Sequence, residues 1–531
     1  MRNKLLRAAG FALGAAVFVS AIVVIALYIF GPAEGYFHSD STDTIFWAEA
    51  SYVSGRVFNP DFNYAGMLPI GGNLLMQLWM PFYGTSLTTH AIGMFSFLIV
   101  LAGAMVFFFR SLRLPWTETL FYSGAILLVL SCSDKMREMF WGHVIYYSIY
   151  VVFLLFGVGL LARLAANGPV RTIKNGILLG MLFLFGVLVA LDGLQLVFIV
   201  IVPIAAAIVL ERWLDFRKPF LHKDHIPAAV VLGVLAAGVL VGLAVLSAWK
   251  DGQRAGYADA WYGLTPINTW MDHLLAIPVH WITLLGGSVP TDPTQTFVIV
   301  ENFASLGFAL FLAVFPLVSL FFYGKAKDPL FKVFVLQHFI VTVLILLAVV
   351  FGSLGAANWR WIPVIASALF LSVLTIREIV ARFDARRVVP VFAAVLLIFA
   401  AVNAVEMRRI EPDYGQDNLN HRIAAELETR GLTYGYADFW IAQAVTVLSG
   451  GDVKVRSINV DAEEGATPYY YQSAFSWYED QEGVSEYFMI LNLTDYNKLH
   501  VSDMYDEIQP YWVETIEFEG YYILVFSQNV F

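Results

Sequence analysis

The sequence predicts a polytopic α-helical membrane protein of about 11 transmembrane helices, followed by an exported C-terminal α/β domain. Three observations carry that prediction. Hydrophobic residues make up 59% of the 531 positions and charged residues only 14%, against roughly a quarter charged in soluble chains. Apolar runs long enough to cross a bilayer recur from residue 9 to residue 405. The charge also changes sign: the residues before Glu406 hold 20 acids and 25 bases, a net of +5, whereas Glu406–Phe531 hold 22 acids and 7 bases, a net of −15. The single cysteine, Cys132, rules out an intrachain disulfide framework. No basic domain suggests nucleic-acid binding.

Taken in order, the N-terminal MRNKLLR precedes an apolar run from Ala8 to Phe30. That run exceeds the usual h-region of about 7–15 residues and no small-residue cleavage site follows, so a retained signal-anchor helix is expected. Further spans are expected at 88–109, 116–133, 144–164, 176–191, 194–210, 227–248, 303–323, 331–351, 361–377 and 388–405. The pair around Asp192-Gly193 is short and reads either as two spans or as a re-entrant hairpin. With the N-terminus in the cytoplasm, the inner loops 110–115, 165–175, 211–226, 324–330 and 378–387 all carry Lys or Arg. The positive-inside rule therefore supports an odd number of crossings, a multi-pass protein of the cytoplasmic membrane and an exported tail.

The outer side then holds loops 31–87, 134–143, 249–302 and 352–360. Residues 1–405 form the bundle and 406–531 the exported domain. In that domain Asn420–Arg430 has helical spacing and stops at Gly431, a C-cap signal. Ile441–Leu448 reads as a second helix before Gly450-Gly451. Val453–Val460, Tyr487–Leu493 and the pair Val513–Glu519 and Tyr521–Phe526, joined at Gly520, read as strands.

The first outer loop carries the sharpest chemical signal. Asp40 and Asp43 lie just past the first span, and apolar positions Ile45, Phe46, Ala48, Tyr52 and Val53 recur with helical spacing up to Gly55. Such a helix is expected to lie along the membrane surface with its aromatics at headgroup level. The plain reading of Asp43 is an N-cap. An Asn59-Pro60-Asp61 turn follows, then Pro69, Gly71-Gly72 and an apolar run ending at Phe82-Tyr83-Gly84.

That order resembles the first periplasmic loop of the GT-C superfamily. These are integral-membrane glycosyltransferases that use polyprenyl-phosphate sugars, among them the protein O-mannosyltransferases and lipid A aminoarabinose transferases. The resemblance implies a GT-C-like bundle and an essential acid at the membrane surface. The matching position is Asp43, with Asp40 as a close competitor. Two departures leave the subfamily open: Thr44 follows Asp43 where some families pair two acids, and the paired prolines of the bend are reduced to Pro69.

The short loop Ser133–His143 packs Asp134, Lys135, Arg137, Glu138 and His143 between two spans. Charges at that depth face protein or water, and Asp134 and Glu138 share a face if the segment is helical. Mutual neutralisation by Lys135 and Arg137 is the plain alternative. The resemblance makes Asp134, Glu138 and His143 candidates to support substrate or a metal, with Asp43 and Asp134 as metal ligands. Such oxygen ligands suit Mg, Mn or Ca.

In the third loop, Lys250 and Arg254 are candidate phosphate ligands. So is Arg360, set between Trp359 and Trp361, although an aromatic-belt anchor is the competing reading. Asp192-Gly193 reads as a turn. No phosphate-loop motif, zinc-protease histidine pair or thiolate zinc site is present.

These observations lead to an inverting glycosyltransferase acting on the outer face. Its expected partners are membrane lipids, a polyprenyl-phosphate sugar donor and a glycan, lipid or protein acceptor. Two other classes compete. A transporter or flippase of lipid-linked sugars predicts Asp192 or Gln195 on a continuous pathway. A non-catalytic envelope assembly protein predicts Asp43 buried against a salt bridge.

Overall fold

In the computed structural model the described residues are 2–64, 75–143, 146–167, 173–213, 222–251, 253, 263–288, 296–355, 357–383, 385, 387–412, 415 and 417–531. The chain divides into two compact units. The first comprises Met1–Tyr28, Phe97–Ala248 and Ala260–Ile410; the second comprises Ile29–Ser96, Trp249–Asp259 and Glu411–Phe531.

Ten helices among the described residues are long and apolar enough to cross a membrane. All but one of the expected spans are therefore found at full length. The exception is 116–133, whose helix runs only Trp116–Val129, 14 residues. At about 1.5 Å per residue it is too short for a hydrocarbon core of about 30 Å. Pro115 fixes its start, and Thr119 and Phe121–Val129 are all buried. It is shielded by protein along most of its length, so it need not match the bilayer. The uncertain pair resolves into two long helices, Ile173–Leu191 and Leu194–Trp213, joined at Asp192-Gly193, where Gly193 has a φ of 106°. Asp192 is thus a turn residue.

Helix approach in the first unit relies on small residues. A Cβ on Gly238 would stand 2.3 Å from the Phe183 carbonyl oxygen, and one on Gly242 would stand 2.6 Å from that of Val187. Backbones this close need glycine on one side, as in membrane helix pairs generally. The third outer loop contains a helix that periodicity does not reveal, Trp270–Leu284. Trp281 there donates to the Ala309 carbonyl at 2.9 Å.

The second unit is built on a six-stranded sheet. Its strands are β2 (Tyr434–Ala437), β3 (Lys454–Val460), β4 (Ala466–Pro468), β6 (Tyr487–Asn492), β7 (Trp512–Phe518) and β8 (Tyr521–Phe526). Their order is β4-β3-β2-β6-β8-β7, with β3, β2 and β6 parallel and the remaining pairs antiparallel. Alternation along the strands makes two cores. Phe488, Ile490, Ile523 and Val525 face the helices Leu419–Arg430 and Phe439–Leu448. Tyr434, Tyr436, Tyr487, Met489 and Phe526 build an aromatic layer on the other face.

Both helices, the strands 453–460 and 487–493, and the final hairpin match expectation. The central β2 is not apparent from sequence because Tyr-Gly-Tyr-Ala is short and carries a glycine. That glycine is required, since a Cβ on Gly435 would lie 2.3 Å from the Phe488 carbonyl oxygen.

The first outer loop belongs to this second unit. Its short β1 (Phe62–Asn63) pairs antiparallel with β5 (Ser473–Ala474), and Asp61 accepts from the Ser476 hydroxyl at 2.5 Å. The helix expected from Thr44 to Gly55 runs Asp43–Ser54 and ends at Gly55, which has left-handed geometry with φ 63°. Its apolar positions divide between protein and the outer surface: Tyr52 and Val53 are exposed. Ile45, Phe46, Trp47 and Ala48 are at most 2% exposed, and Phe46 packs edge-on against Trp477. The N-terminal half of the stripe is covered by protein.

Candidate active site

Asp40 and Asp43 sit on consecutive turns. A single 3₁₀ turn, Ser39–Thr42, carries half-buried Asp40 and leads directly into the Asp43–Ser54 helix. The turn is fastened from the sheet domain. Ser39 Oγ donates to the Trp440 carbonyl at 2.8 Å and Thr42 Oγ1 donates to Gln443 Oε1 at 2.7 Å.

Asp43 is not an N-cap. It is the first helical residue, and Thr42, in the cap position, makes no side-chain cap bond. Asp43 is 4% exposed, and its Oδ1 is buried with no hydrogen-bond partner. Burial, with the nearby charge of Asp40, pushes its carboxyl well above the usual carboxylate range, while the Gln472 amide pulls the other way. It makes no salt bridge among the described residues, so the feature expected of a purely structural assembly protein is absent there.

One turn further on, Trp47 shares the face of Asp43. Its indole Nε1 donates to Gln472 Oε1 at 2.5 Å. Gln472 is fully buried and holds a φ of 52°, a left-handed conformation that non-glycine residues seldom adopt. Gln443 Nε2 donates to the Gln472 carbonyl at 3.1 Å. Asp43 is thus enclosed by Thr42, Trp47, Gln443 and Gln472, none of which the sequence singles out. Gln443 and Gln472 are far removed along the chain, and nothing in a Tyr-Tyr-Tyr-Gln run announces a left-handed glutamine.

The second group of expected residues lies in the first unit and is strongly paired. Ser133 caps the Asp134–Arg137 turn by accepting from Met136 N. Arg137, 2% exposed, donates to Asp134 Oδ1 at 2.5 Å, Glu406 Oε1 at 2.9 Å and the Ser131 carbonyl at 3.1 Å. Burial opposes its charge, yet Glu406 and Asp134 outweigh burial and hold the guanidinium above its ordinary value. Glu138 bonds Lys135 and stands 3.3 Å from His143 Nε2. Burial raises its carboxyl, but His143 and Lys135 prevail and hold it at about 2. Asp134 and Glu138 therefore serve as partners of buried or half-buried cations, which is the neutralising reading.

Arg360 donates to the Tyr147 hydroxyl, which also accepts from Gln195 at 3.2 Å. Lys250 is half-buried in the second unit. Arg254 lies outside the described residues. No group of three His, Cys, Asp or Glu side chains among the described residues is placed to hold a metal ion. Asp43 has one unpartnered carboxylate oxygen, and Asp134 pairs with Arg137 while remaining largely exposed. One cavity of about 740 Å³ is lined by Ser111, Arg113, Glu211, Asp224 and Asp328 among others, and includes neither Asp192 nor Gln195.

The chain thus combines long apolar helices with a mixed-sheet domain, and carries a buried carboxylate, Asp43, after its first long helix. No protein-family profile and no curated protein matches the chain. Among solved structures, the crystal structure of the Archaeoglobus fulgidus oligosaccharyltransferase in complex with Zn and sulfate matches over 92% of this chain and 70% of that one, with TM-score 0.52 and 12% identity. Two further structures match more weakly. The same enzyme tethered to an acceptor peptide containing the NVT sequon gives TM-score 0.44 at 11% identity, over 83% of this chain and 63% of that one. The complex of the archaeal oligosaccharyltransferase AglB with an inhibitory peptide and a dolichol-phosphate gives 0.45 at 11%, over 83% and 64%. The first match bears out the GT-C-like fold that the loop pattern implied.

Proposed function

We propose that this chain is a membrane glycosyltransferase that takes a sugar from a polyprenyl-phosphate-linked donor and passes it to an acceptor on the outer face of the cytoplasmic membrane. The observation that carries the reading is Asp43. It is a buried carboxylate with an unpartnered oxygen, raised in pKa, at the start of a helix just beyond the first span, in a chain with an oligosaccharyltransferase fold. A carboxylate lifted toward neutrality is a better general base than an ordinary aspartate.

In the proposed reaction Asp43 takes the proton of an acceptor O–H or N–H. The acceptor atom bonds to the anomeric carbon as the bond from that carbon to the phosphate oxygen breaks. The pair of electrons leaves with the polyprenyl phosphate, and a single displacement of this kind inverts the anomeric centre. Lys250, in the same unit as Asp43, is the cation proposed to stabilise the departing phosphate. Asp40 contributes charge beside Asp43 and is the second candidate for the base. The basic inner loops support the orientation, with the sheet domain outside.

The test is transfer of labelled glycan in membrane vesicles carrying Asp43→Asn or Asp40→Asn. Loss of transfer by about 100-fold or more is expected for Asp43→Asn, with a smaller change for Asp40→Asn. Undiminished transfer in both variants refutes the reading.

A further inference from the structure

We propose that Gln472, from the sheet domain, is the positioning residue that aims the Asp43 carboxylate, and that Trp47 sets which end of its amide faces the acid. The proposal rests on the reading of Asp43 as the reacting base. An amide side chain has a donor end and an acceptor end, and which end points where must follow from its neighbours. Here the neighbour is decisive. An indole N–H can only donate, so the Trp47 contact at 2.5 Å requires the oxygen of Gln472 on that side. The amide nitrogen is thereby turned toward Asp43. Gln472 Nε2 and Asp43 Oδ1 are both buried, and neither completes another hydrogen bond. The pair leaves a buried, unpartnered donor and a buried, unpartnered acceptor, with the amide near enough to lower the carboxyl's affinity for its proton.

Two further features show that this placement is built in. Gln472 holds a left-handed backbone at φ 52° while fully buried, a conformation that is strained for any residue with a Cβ. Its carbonyl is fixed by Gln443 Nε2, and Gln443 is in turn fixed by Thr42, the residue before Asp43. The strained residue is therefore tied at its backbone and at its side-chain oxygen, leaving one group, the amide N–H pair, directed at the acid. If the fold needed only a turn at this position, glycine would supply it without strain.

The experiment measures kcat and KM for glycan transfer, with melting temperature, in full-length Gln472→Gly, Gln472→Glu and Trp47→Phe. Glycine relieves the backbone but leaves a void and strands the Trp47 indole N–H, so any melting loss is read separately from kcat, which is expected to fall about 10- to 100-fold while KM changes little. Glutamate keeps the acceptor for Trp47 but sets a second carboxylate against Asp43, and kcat is expected to fall further. Trp47→Phe releases the amide orientation, so its effect and that of Gln472→Gly should not add.

Wild-type kcat in Gln472→Gly, with Asp43→Asn inactive, overturns the positioning role and leaves the proposed function intact. Additive losses in the Trp47→Phe, Gln472→Gly double variant overturn the orienting role of Trp47. Full transfer by Asp43→Asn removes Asp43 as the reacting base and, with it, the premise of the positioning role.

Discussion

Replacing Asp43 by asparagine is expected to stabilise the protein at neutral pH while it abolishes transfer. The carboxyl is 4% exposed, and burial raises its pKa well above that of a free aspartate. An acid whose folded pKa is raised binds its proton more tightly in the folded state than in the unfolded one. Ionising it therefore works against folding. The penalty is full above the folded pKa, shrinks as pH falls through that value, and vanishes below the unfolded value of about 3.9. Each tenfold difference in proton affinity between the two states corresponds to about 1.4 kcal/mol. For a body of about 200 residues, each kcal/mol moves the melting point by roughly 2–4 °C. The assay is tryptophan-fluorescence melting of detergent-solubilised protein from pH 4 to pH 8. The asparagine variant should melt several degrees higher at pH 8, with the gap closing toward pH 4. A variant that melts lower at pH 8, or a gap independent of pH, would show that the carboxylate carries no uncompensated charge, and Asp43 would not be a poised base.

Three other outcomes follow from the pairing and packing described above. Arg137→Ala leaves the mostly buried Glu406 without its guanidinium, whereas Asp134 is largely exposed and regains water; the cost should fall below the roughly 3–5 kcal/mol of a fully buried pair, with melting lowered and Glu406→Gln milder. Glu138, held at about 2 by His143 and Lys135, contributes stability that is fully present above its ordinary pKa and is lost as pH falls through about 2. The melting difference between wild type and Glu138→Gln should therefore shrink in acid as pH falls from the ordinary carboxylate range toward about 2. Gly238→Ala drives a methyl group to 2.3 Å from the Phe183 carbonyl oxygen. It is expected to cost about 1–3 kcal/mol as the two helices separate, read by thermal melting.

Elements governed by local chemistry are legible in the sequence. Gly55 and Gly431 end their helices in left-handed geometry where the pattern places them. The hairpin of β7 and β8 turns at Gly520, and the long apolar runs form long helices. What fails is any reading that requires knowing what covers a surface. In the Asp43–Ser54 helix protein covers Phe46 and Trp47 while Tyr52 and Val53 stay exposed, a division the sequence does not show because lipid and protein both satisfy apolar side chains. The choice is made by residues such as Trp477, remote in sequence. Asp43 stands out as a candidate, yet its plain interpretation as a cap fails because helix start and cap differ by one residue. Gln472 gives no signal, since glutamine is not a residue that marks a left-handed turn. Asp134 and Glu138 carry the right chemistry for a site, but the commitment of Asp134 to an ion-pair network depends on Arg137 also reaching Glu406, 269 residues further along the chain.

The pairing of Phe62 with Ala474 also has a consequence for biogenesis. At about 5–20 residues per second, roughly 20 to 80 seconds separate the emergence of the first strand from that of its partner. Throughout that interval the acidic helix has left the ribosome without the residues that will bury Phe46 and Trp47. Nascent chains stalled before Gln472 should therefore present this segment to an externally added protease and be cut there. Chains released at full length should resist, so protease protection would time the completion of the domain.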